Sequence, residues 1–302
     1  MKNALLLAFA EDRQPASALA SRLGLPFGEI ALHRFPDGEF CPRLPDAAAE
    51  MLIYRSFNQP NEKLVALLLV HDALMRDPRV KRSTLIAPYL PYLRQDIAFH
   101  PGEPNSQAVL CTLLAARFAR IVTVDPHLHR TPDLGAAYPG TTWQVLCAQD
   151  RLAEAIQAEG IPPGLVILGP DVESTPLVNR LATRLGCQAA TFAKARSGDR
   201  QVQLTPPKGL DVRGRPVLIL DDMCSTGGTM ARLAVALKAA GAQSIEAMVT
   251  HALFDAAAAA MMREAGIGRI RSTDSIDHPT NAIPLATLLA EAILTDPEEG
   301  CA

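Results

Sequence analysis

A chain of 302 residues, 48% of them hydrophobic, has enough apolar material for one large or two medium domains. A formal net charge of -3, with no long run of Lys and Arg, excludes bulk electrostatic binding to nucleic acid or to a membrane surface. Six cysteines without CxxC spacing and only 5% aromatic residues speak against a zinc site, a disulfide framework or base-stacking platforms. No apolar stretch approaches membrane-span length, and the run after Met1-Lys2-Asn3 is too short for a signal peptide. A reducing cytoplasm is the expected compartment.

Strand and helix patterns alternate from the start. Leu5–Phe9 is a short apolar strand, followed by a helical pattern over Ala16–Leu23. Ile30–Leu32 leads into Arg34-Phe35-Pro36-Asp37-Gly38-Glu39-Phe40, a turn carrying an aromatic and two acids. Met51–Arg55 reads as strand and Asn61–Leu74 as helix, its apolar face on Leu64, Leu67, Leu68 and Val70. Thr84–Ala87 is a strand running into Pro88-Tyr89-Leu90-Pro91-Tyr92-Leu93-Arg94-Gln95-Asp96. A helix over Gln107–Phe118 and a strand over Ile121–Val124 follow, ending at Asp125-Pro126-His127-Leu128-His129.

The rhythm then restarts. Leu152–Glu159 is helical, Leu165–Leu168 is a strand ending at Gly169-Pro170-Asp171, and Leu177–Leu185 is helical. The strand Ala189–Ala193 precedes Lys194-Ala195-Arg196-Ser197-Gly198-Asp199. Val217–Leu220 is a strand closed by Asp221 and Asp222, and the turn after it opens into a helical pattern over Met230–Ala240. The strand Ile245–Val249, the helix Ala256–Met262, the strand Ile267–Ser272 and the helix Leu285–Ile293 complete the pattern. Such alternation predicts an α/β fold with parallel sheets and right-handed crossovers. Rhythm and length, without any sequence repeat, divide it into 1–147 and 148–302. Each polar cluster follows a strand, where open α/β sheets bind their ligands.

The most informative stretch is Val217-Leu218-Ile219-Leu220-Asp221-Asp222-Met223-Cys224-Ser225-Thr226-Gly227-Gly228-Thr229. Gly227 and Gly228 let the backbone approach a ligand closely. Amides at the helix start and the hydroxyls of Ser225, Thr226 and Thr229 can hold phosphate oxygens. Asp221 and Asp222 cannot bind phosphate; they suit ribose hydroxyls or a Mg²⁺ carried by the substrate. A lone glycine turn would read as an ordinary helix entrance. The immediate succession of buried strand, acidic pair and hydroxyl-glycine loop favours a sugar phosphate. No Lys follows the glycines, so it is not a Walker loop. The stretch resembles the phosphoribosyl-binding loop shared by type I phosphoribosyltransferases and ribose-phosphate pyrophosphokinases.

Taken singly, the other clusters read as structure: Pro-Asp-Gly is common turn chemistry, and Arg94-Gln95-Asp96 could be a surface ion-pair group. In their order and spacing they resemble the ribose-phosphate pyrophosphokinase, or PRPP synthetase, family. The stretch from Arg34 through Phe35, Asp37, Gly38 and Glu39 is similar to the family's first ATP-binding turn. Pro88 through Arg94, Gln95 and Asp96, with Pro101-Gly102-Glu103-Pro104 downstream, is similar to its second. His127 after Val124-Asp125-Pro126, and Asp171 after Gly169-Pro170, match its metal-associated positions. Lys194 and Arg196 fall where the family carries a catalytic lysine and arginine on a mobile loop. Val249–Phe254 and Pro284–Ile293 resemble its closing segments.

The resemblance implies two type I phosphoribosyltransferase-like domains, each with a mainly parallel sheet flanked by helices. It implies ATP-binding turns in the first and a ribose-5-phosphate loop (Asp221, Asp222, Ser225, Thr226, Gly227, Gly228, Thr229, with Arg196) in the second. It also implies Mg²⁺ as cofactor, ATP and ribose 5-phosphate as substrates, and a cytoplasmic homo-oligomer, dimer-based or hexameric. Three departures stand out. Ser225 replaces the usual Asp of the phosphate loop, Pro126 replaces a Leu before the metal-associated His, and Val172-Glu173-Ser174-Thr175 replaces smaller residues. His127 is a soft partner for Mg²⁺, so phosphate contact, a water-mediated role and a zinc pair with His129 stay open alternatives. A non-catalytic regulatory relative and a transferase that consumes PRPP are the competing functions.

Overall fold

Leu5, Leu6, Leu7, Ala8 and Phe9 offer no polar face to solvent, and the strand they build, β1 (Ala4–Phe9), is buried on both sides. The computed structural model describes residues 3–128, 130–197, 201–205 and 210–295. It divides into two compact units. One comprises Met1–Cys147, Ser275–Asp277 and Leu285–Ala302; the other comprises Ala148–Asp274 and His278–Pro284.

In the first unit β1 is followed by α1 (Arg13–Leu23), β2 (Phe27–Arg34), β3 (Phe40–Arg43), β4 (Glu50–Tyr54) and α2 (Pro60–Arg76). Then come β5 (Arg82–Ala87), α3 (Ser106–Ala115), β6 (Arg120–Val124), the short α4 (Leu134–Ala137) and β7 (Thr142–Leu146). The strands lie in the order β3-β2-β1-β4-β5-β6-β7. All neighbours are parallel except the β2–β3 hairpin at one edge. Leu7, Ile53, Leu85 and Ile121 from four adjacent strands meet Leu67, Val70 and Leu114 from α2 and α3 in one core. Neither β3 nor β7 is foreseen from the sequence. Their residues are only half-buried or exposed, so they lack the apolar runs of the central strands.

The second unit contains α5 (Gln149–Glu159), β8 (Val166–Gly169), α6 (Thr175–Leu185), β9 (Gln188–Thr191), β10 (Ala193–Ser197) and β11 (Gln201–Thr205). It continues through β12 (Pro216–Cys224), α7 (Gly228–Ala239), β13 (Ser244–Ala252), α8 (Ala256–Glu264), β14 (Arg269–Thr273) and β15 (Asn281–Ile283). Its sheet is parallel throughout, in the order β15-β14-β13-β12-β8-β9, while β10 and β11 form a separate antiparallel pair. Val217 and Ile219 feed the core on one side of this sheet, and Leu218 and Leu220 the core on the other. That is the burial predicted for an unalternated apolar strand.

A structural repeat appears where the sequence has none. With the edge strand β3 set aside, the first sheet runs β2-β1-β4-β5-β6-β7 and the second β9-β8-β12-β13-β14-β15. Both β1 and β8 lead to a 3-10 turn, Ala10–Asp12 or Val172–Ser174, and then to an 11-residue helix. Each helix closes on a left-handed glycine, Gly24 (φ 64°) or Gly186 (φ 66°). The two units differ in charge at this point. In the first, Arg55 follows β4, is only 1% exposed, and bonds Glu11 at 2.8 Å and Asp12 at 3.0 Å. Its guanidinium lies 4.0 Å from the Phe9 ring centroid.

The last helix, α9 (Ala286–Leu294), belongs to the first unit and lies against α1, although the expected division at 147 assigns it to the second. The physical reason is its carboxyl end. Arg120, buried at the start of β6, donates to the carbonyls of Ala292 (2.6 Å), Ile293 (3.3 Å) and Thr295 (3.3 Å), and to the Gln144 side chain. Gln144 Nε2 adds a bond to the Ala292 carbonyl at 3.2 Å. One guanidinium thus satisfies carbonyls that a helix end leaves without partners. Arg120→Met is expected to lower stability by about 2–3 kcal/mol in chemical denaturation, because buried acceptors are left unpaired.

Candidate active site

In the second unit β12 does not end at Leu220 as its apolar run predicts. Pairing with β13 continues through Asp221↔Val249, Met223↔His251 and Cys224↔Ala252, so both acids sit on the strand rather than in the turn. The Cys224 carbonyl then accepts from Leu253 N at 2.8 Å, which fixes where the loop leaves the sheet. Ser225 and Thr226 are exposed. Gly227 is left-handed at φ 70°, and a Cβ there would come within 3.0 Å of Met262 Cγ, so the turn requires glycine on both counts. Gly227 has no side chain to cap α7, and the first-turn amides of the helix follow directly on Ser225 and Thr226, with Thr229 in that turn.

Three carboxylates gather close to this loop. Asp222 N donates to Asp221 Oδ1 at 3.1 Å. Asp171, at the end of the neighbouring strand β8, caps the 3-10 turn by accepting from Glu173 N (3.1 Å) and Ser174 N (3.3 Å). Ser174 Oγ in turn donates to the Asp171 carbonyl at 2.6 Å. Gly169 makes room for that hydroxyl: a Cβ there would lie 2.0 Å from Ser174 Oγ. Burial of its carboxyl, with the negative charges of Asp222 and Asp171 nearby, pushes Asp221 up to about 8. A cation or a set of hydroxyl donors would relieve this crowding.

Lys194 and Arg196 are not on a loop. They lie two residues apart on β10, in register with Leu204 and Val202 of β11. In β10 and β11 only the backbone is described.

The predicted nucleotide turns are in the first unit. Phe35 opens the β2–β3 connection and is 41% exposed, with His33 edge-on at 4.6 Å. Its backbone closes the turn: Phe35 N donates to the Glu39 carbonyl and Gly38 N to the Phe35 carbonyl, both at 2.9 Å. Asp37 Oδ1 accepts from Glu39 N at 3.1 Å, so this acid holds the turn in shape, and Gly38 supplies the positive φ of 95°. Phe35 and Glu39 both present exposed side chains on this turn.

The segment after β5 folds on itself. Glu103 Oε2 accepts from Gln95 Nε2, Phe99 N and His100 N, each at 3.1 Å. Arg94 is exposed, whereas Asp96 is buried. The Asp96 carboxylate accepts from Arg130 at 2.8 Å, and its carbonyl accepts from Asn105 Nδ2 at 2.6 Å. Gln95 Nε2 thus braces this loop, and the Asp96 carboxylate ties it to the segment after β6. His127 is half-buried in the segment after β6, two residues beyond Asp125, which has a positive φ of 38°. His129 lies outside the described residues.

Comparison with known proteins adds an independent line. The N-terminal domain of ribose phosphate pyrophosphokinase matches residues 4–117, and the phosphoribosyl transferase domain matches residues 146–287. A ribose-phosphate pyrophosphokinase of Methanopyrus kandleri is 32% identical over 291 residues, covering 96% of this chain and 98% of that one. The chain belongs to the ribose-phosphate pyrophosphokinase family. Ribose-phosphate pyrophosphokinase 2 of Archaeoglobus fulgidus is 33% identical over 278 residues, 92% of this chain and 96% of that one. The crystal structure of phosphoribosylpyrophosphate synthetase from Mycobacterium smegmatis superposes with a TM-score of 0.85 at 26% identity, covering 99% of this chain and 100% of that one.

Within this pyrophosphokinase framework, sequence reasoning missed Arg130. It stands in no motif, and only the buried carboxylate of Asp96 marks it. The crowded acids of the second unit carry a pH signature. An aspartate raised from near 4 to about 8 binds its proton more tightly folded than unfolded, so its stabilising contribution is full at acid pH and is lost as pH rises through 8. In metal-free buffer Asp221→Asn is expected to melt above wild type at about pH 9, match it at about pH 4, and flatten the fall between them. A thermal-melt series across that range checks this.

Proposed function

We propose that this pyrophosphokinase transfers the diphosphoryl group of ATP to the C1 hydroxyl of ribose 5-phosphate, giving PRPP and AMP. The observation that carries the reading is the second unit's strand–loop–helix. It puts a glycine-shaped anion site at the start of α7 next to the acids of β12, the two chemistries a phosphorylated sugar requires. Whole-length likeness to ribose-phosphate pyrophosphokinases supports the same reaction.

In this reading the amides and hydroxyls from Ser225 to Thr229 grip the 5-phosphate, while Asp221 and Asp222 hold the ribose hydroxyls. Phe35 stacks on the adenine, and Arg94 contacts the nucleotide phosphates. The C1 hydroxyl oxygen bonds to the β-phosphorus as the bond from that phosphorus to the oxygen of the leaving AMP breaks, and the hydroxyl proton is released. Protein groups align the reactants and neutralise charge as it spreads. Lys194 and Arg196 supply that positive charge.

Mg²⁺ is part of the proposal. Asp171, Asp221 and Asp222 are hard oxygen donors suited to it, and their mutual repulsion fits a bound dication. Among the described residues no three His, Cys, Asp or Glu side chains form a ready cage, in keeping with an ion that arrives on substrate phosphates. The imidazole of His127 fits a hard cation less well and suits phosphate or a bound water. When bound, the ion would neutralise phosphate charge. No helix among the described residues is long and apolar enough to cross a membrane; a cytoplasmic homo-oligomer completes the proposal.

Incubation with ATP, ribose 5-phosphate and Mg²⁺ is expected to yield AMP and PRPP in equal amounts. Nucleotide binding without either product would replace this reading with a regulatory one, for which Ser225 in the phosphate loop would be the first suspect. Lys194→Ala is expected to lower kcat by roughly 100- to 1000-fold while leaving the fold intact. Full turnover in a folded variant would remove the lysine from the catalytic set.

A further inference from the structure

The Asp96–Arg130 pair joins two loops of the first unit that emerge from the carboxyl ends of β5 and β6. Asp96 is almost wholly buried, its side chain 2% exposed, whereas the Arg130 side chain is 54% exposed. A buried carboxylate is costly without a charged partner. Here the partner is drawn from the next loop and holds the carboxylate through a single nitrogen, Nη1, at 2.8 Å. The rest of its donor fork is left for solvent or a ligand.

One further contact restrains the guanidinium, and another anchors the backbone that carries it. The guanidinium lies 5.6 Å from the ring centroid of Phe99, itself half exposed. The next residue, Thr131, donates through Oγ1 to Gln107 Oε1 at 2.7 Å, and Tyr138 donates to the same oxygen at 3.1 Å. Gln107 is fully buried, so the backbone carrying Arg130 is tied to the start of α3. A long cationic side chain ordinarily loses much conformational freedom on binding an anion. For Arg130 the fold has already spent most of that freedom.

We propose that Arg130 is a phosphate-binding residue of the nucleotide site, oriented for that task by Asp96. The proposal rests on the reading of this sheet edge as the ATP side of the enzyme. Its ligand is the polyphosphate of a nucleoside triphosphate, whose oxygens match the fork that Asp96 leaves uncommitted. Asp96 itself does not touch the nucleotide and acts as a positioning residue.

The test compares wild type with Arg130→Gln, Arg130→Lys and Asp96→Asn, with folding followed by circular dichroism. Loss of one charge-assisted contact predicts a KM for MgATP raised roughly 10- to 100-fold in Arg130→Gln, with the KM for ribose 5-phosphate within about twofold of wild type. Arg130→Lys keeps the charge without the fork and should fall between. Asp96→Asn should raise the MgATP KM less than Arg130→Gln does, since the cation survives. Calorimetric titration with MgATP should show the same order of affinities. An unchanged MgATP affinity in a folded Arg130 variant overturns the proposal, as does an equal weakening toward both substrates. If wild type binds MgATP but forms no PRPP, the function reading fails, while the titration still decides the role of Arg130.

Discussion

A parallel strand covered on both faces has nowhere along its length to place a charge. In both units the strands at the middle of the sheet, β1, β4, β8 and most of β12, are largely apolar on either side, and their backbone groups are spent on neighbouring strands. Polar side chains collect where the strands end and the chain must turn toward a helix. Asp171, Asp221 and Asp222, the turn at Phe35, the loop around Asp96 and the segment carrying His127 all follow from this constraint. The cores at Leu67, Val70 and Leu114, and at Leu218 and Leu220, hold the strand ends in place without contributing chemistry.

Electrostatic strain is distributed unevenly among those ends. Around Asp96 and Arg55 each buried charge has a partner of opposite sign within 3.0 Å. Around Asp221 like charges face one another, and its carboxyl responds by holding a proton. Crowding of like charge is expected where a fold has given up stability for binding. The loop at Gly227 shows the same economy in steric form, with a backbone shape that no other residue adopts without strain.

Much of this was legible beforehand. Apolar runs located every central strand, and the succession from Val217 to Thr229 located the strand end and glycine turn on which the proposed phosphate site is built, because a buried strand, an acid pair and a glycine turn are each local in sequence. The strands β3, β7, β10, β11 and β15 were not legible. They are edge or hairpin strands stabilised by pairing with a neighbouring strand rather than by their own composition. The extension of β12 to Cys224 was hidden for the same reason: only the matching length of β13 permits it. Motif order brought Asp37, Gln95 and Asp96 into view but not what they touch. Asp37 and Gln95 each also brace their own turn or loop, and Asp96 holds an arginine that no spacing rule singles out. The membership of α9 in the first unit likewise depends on Arg120, more than 160 residues away.

The shared strand order of the two sheets gives this difference in charge a further meaning. At the end of β1 the acids meet a guanidinium supplied by the residue after β4; at the end of β8 Asp171 lies near the carboxyl of Asp221 on β12, the strand equivalent to β4. One half of a common scaffold thus places a buried guanidinium, welded in as a side chain, at the strand end where the other places carboxylates. A single arginine after an apolar strand is enough to make that strand end a structural joint. Duplicated halves of one architecture can therefore diverge through the sign of one buried charge, with strand order and helix length kept.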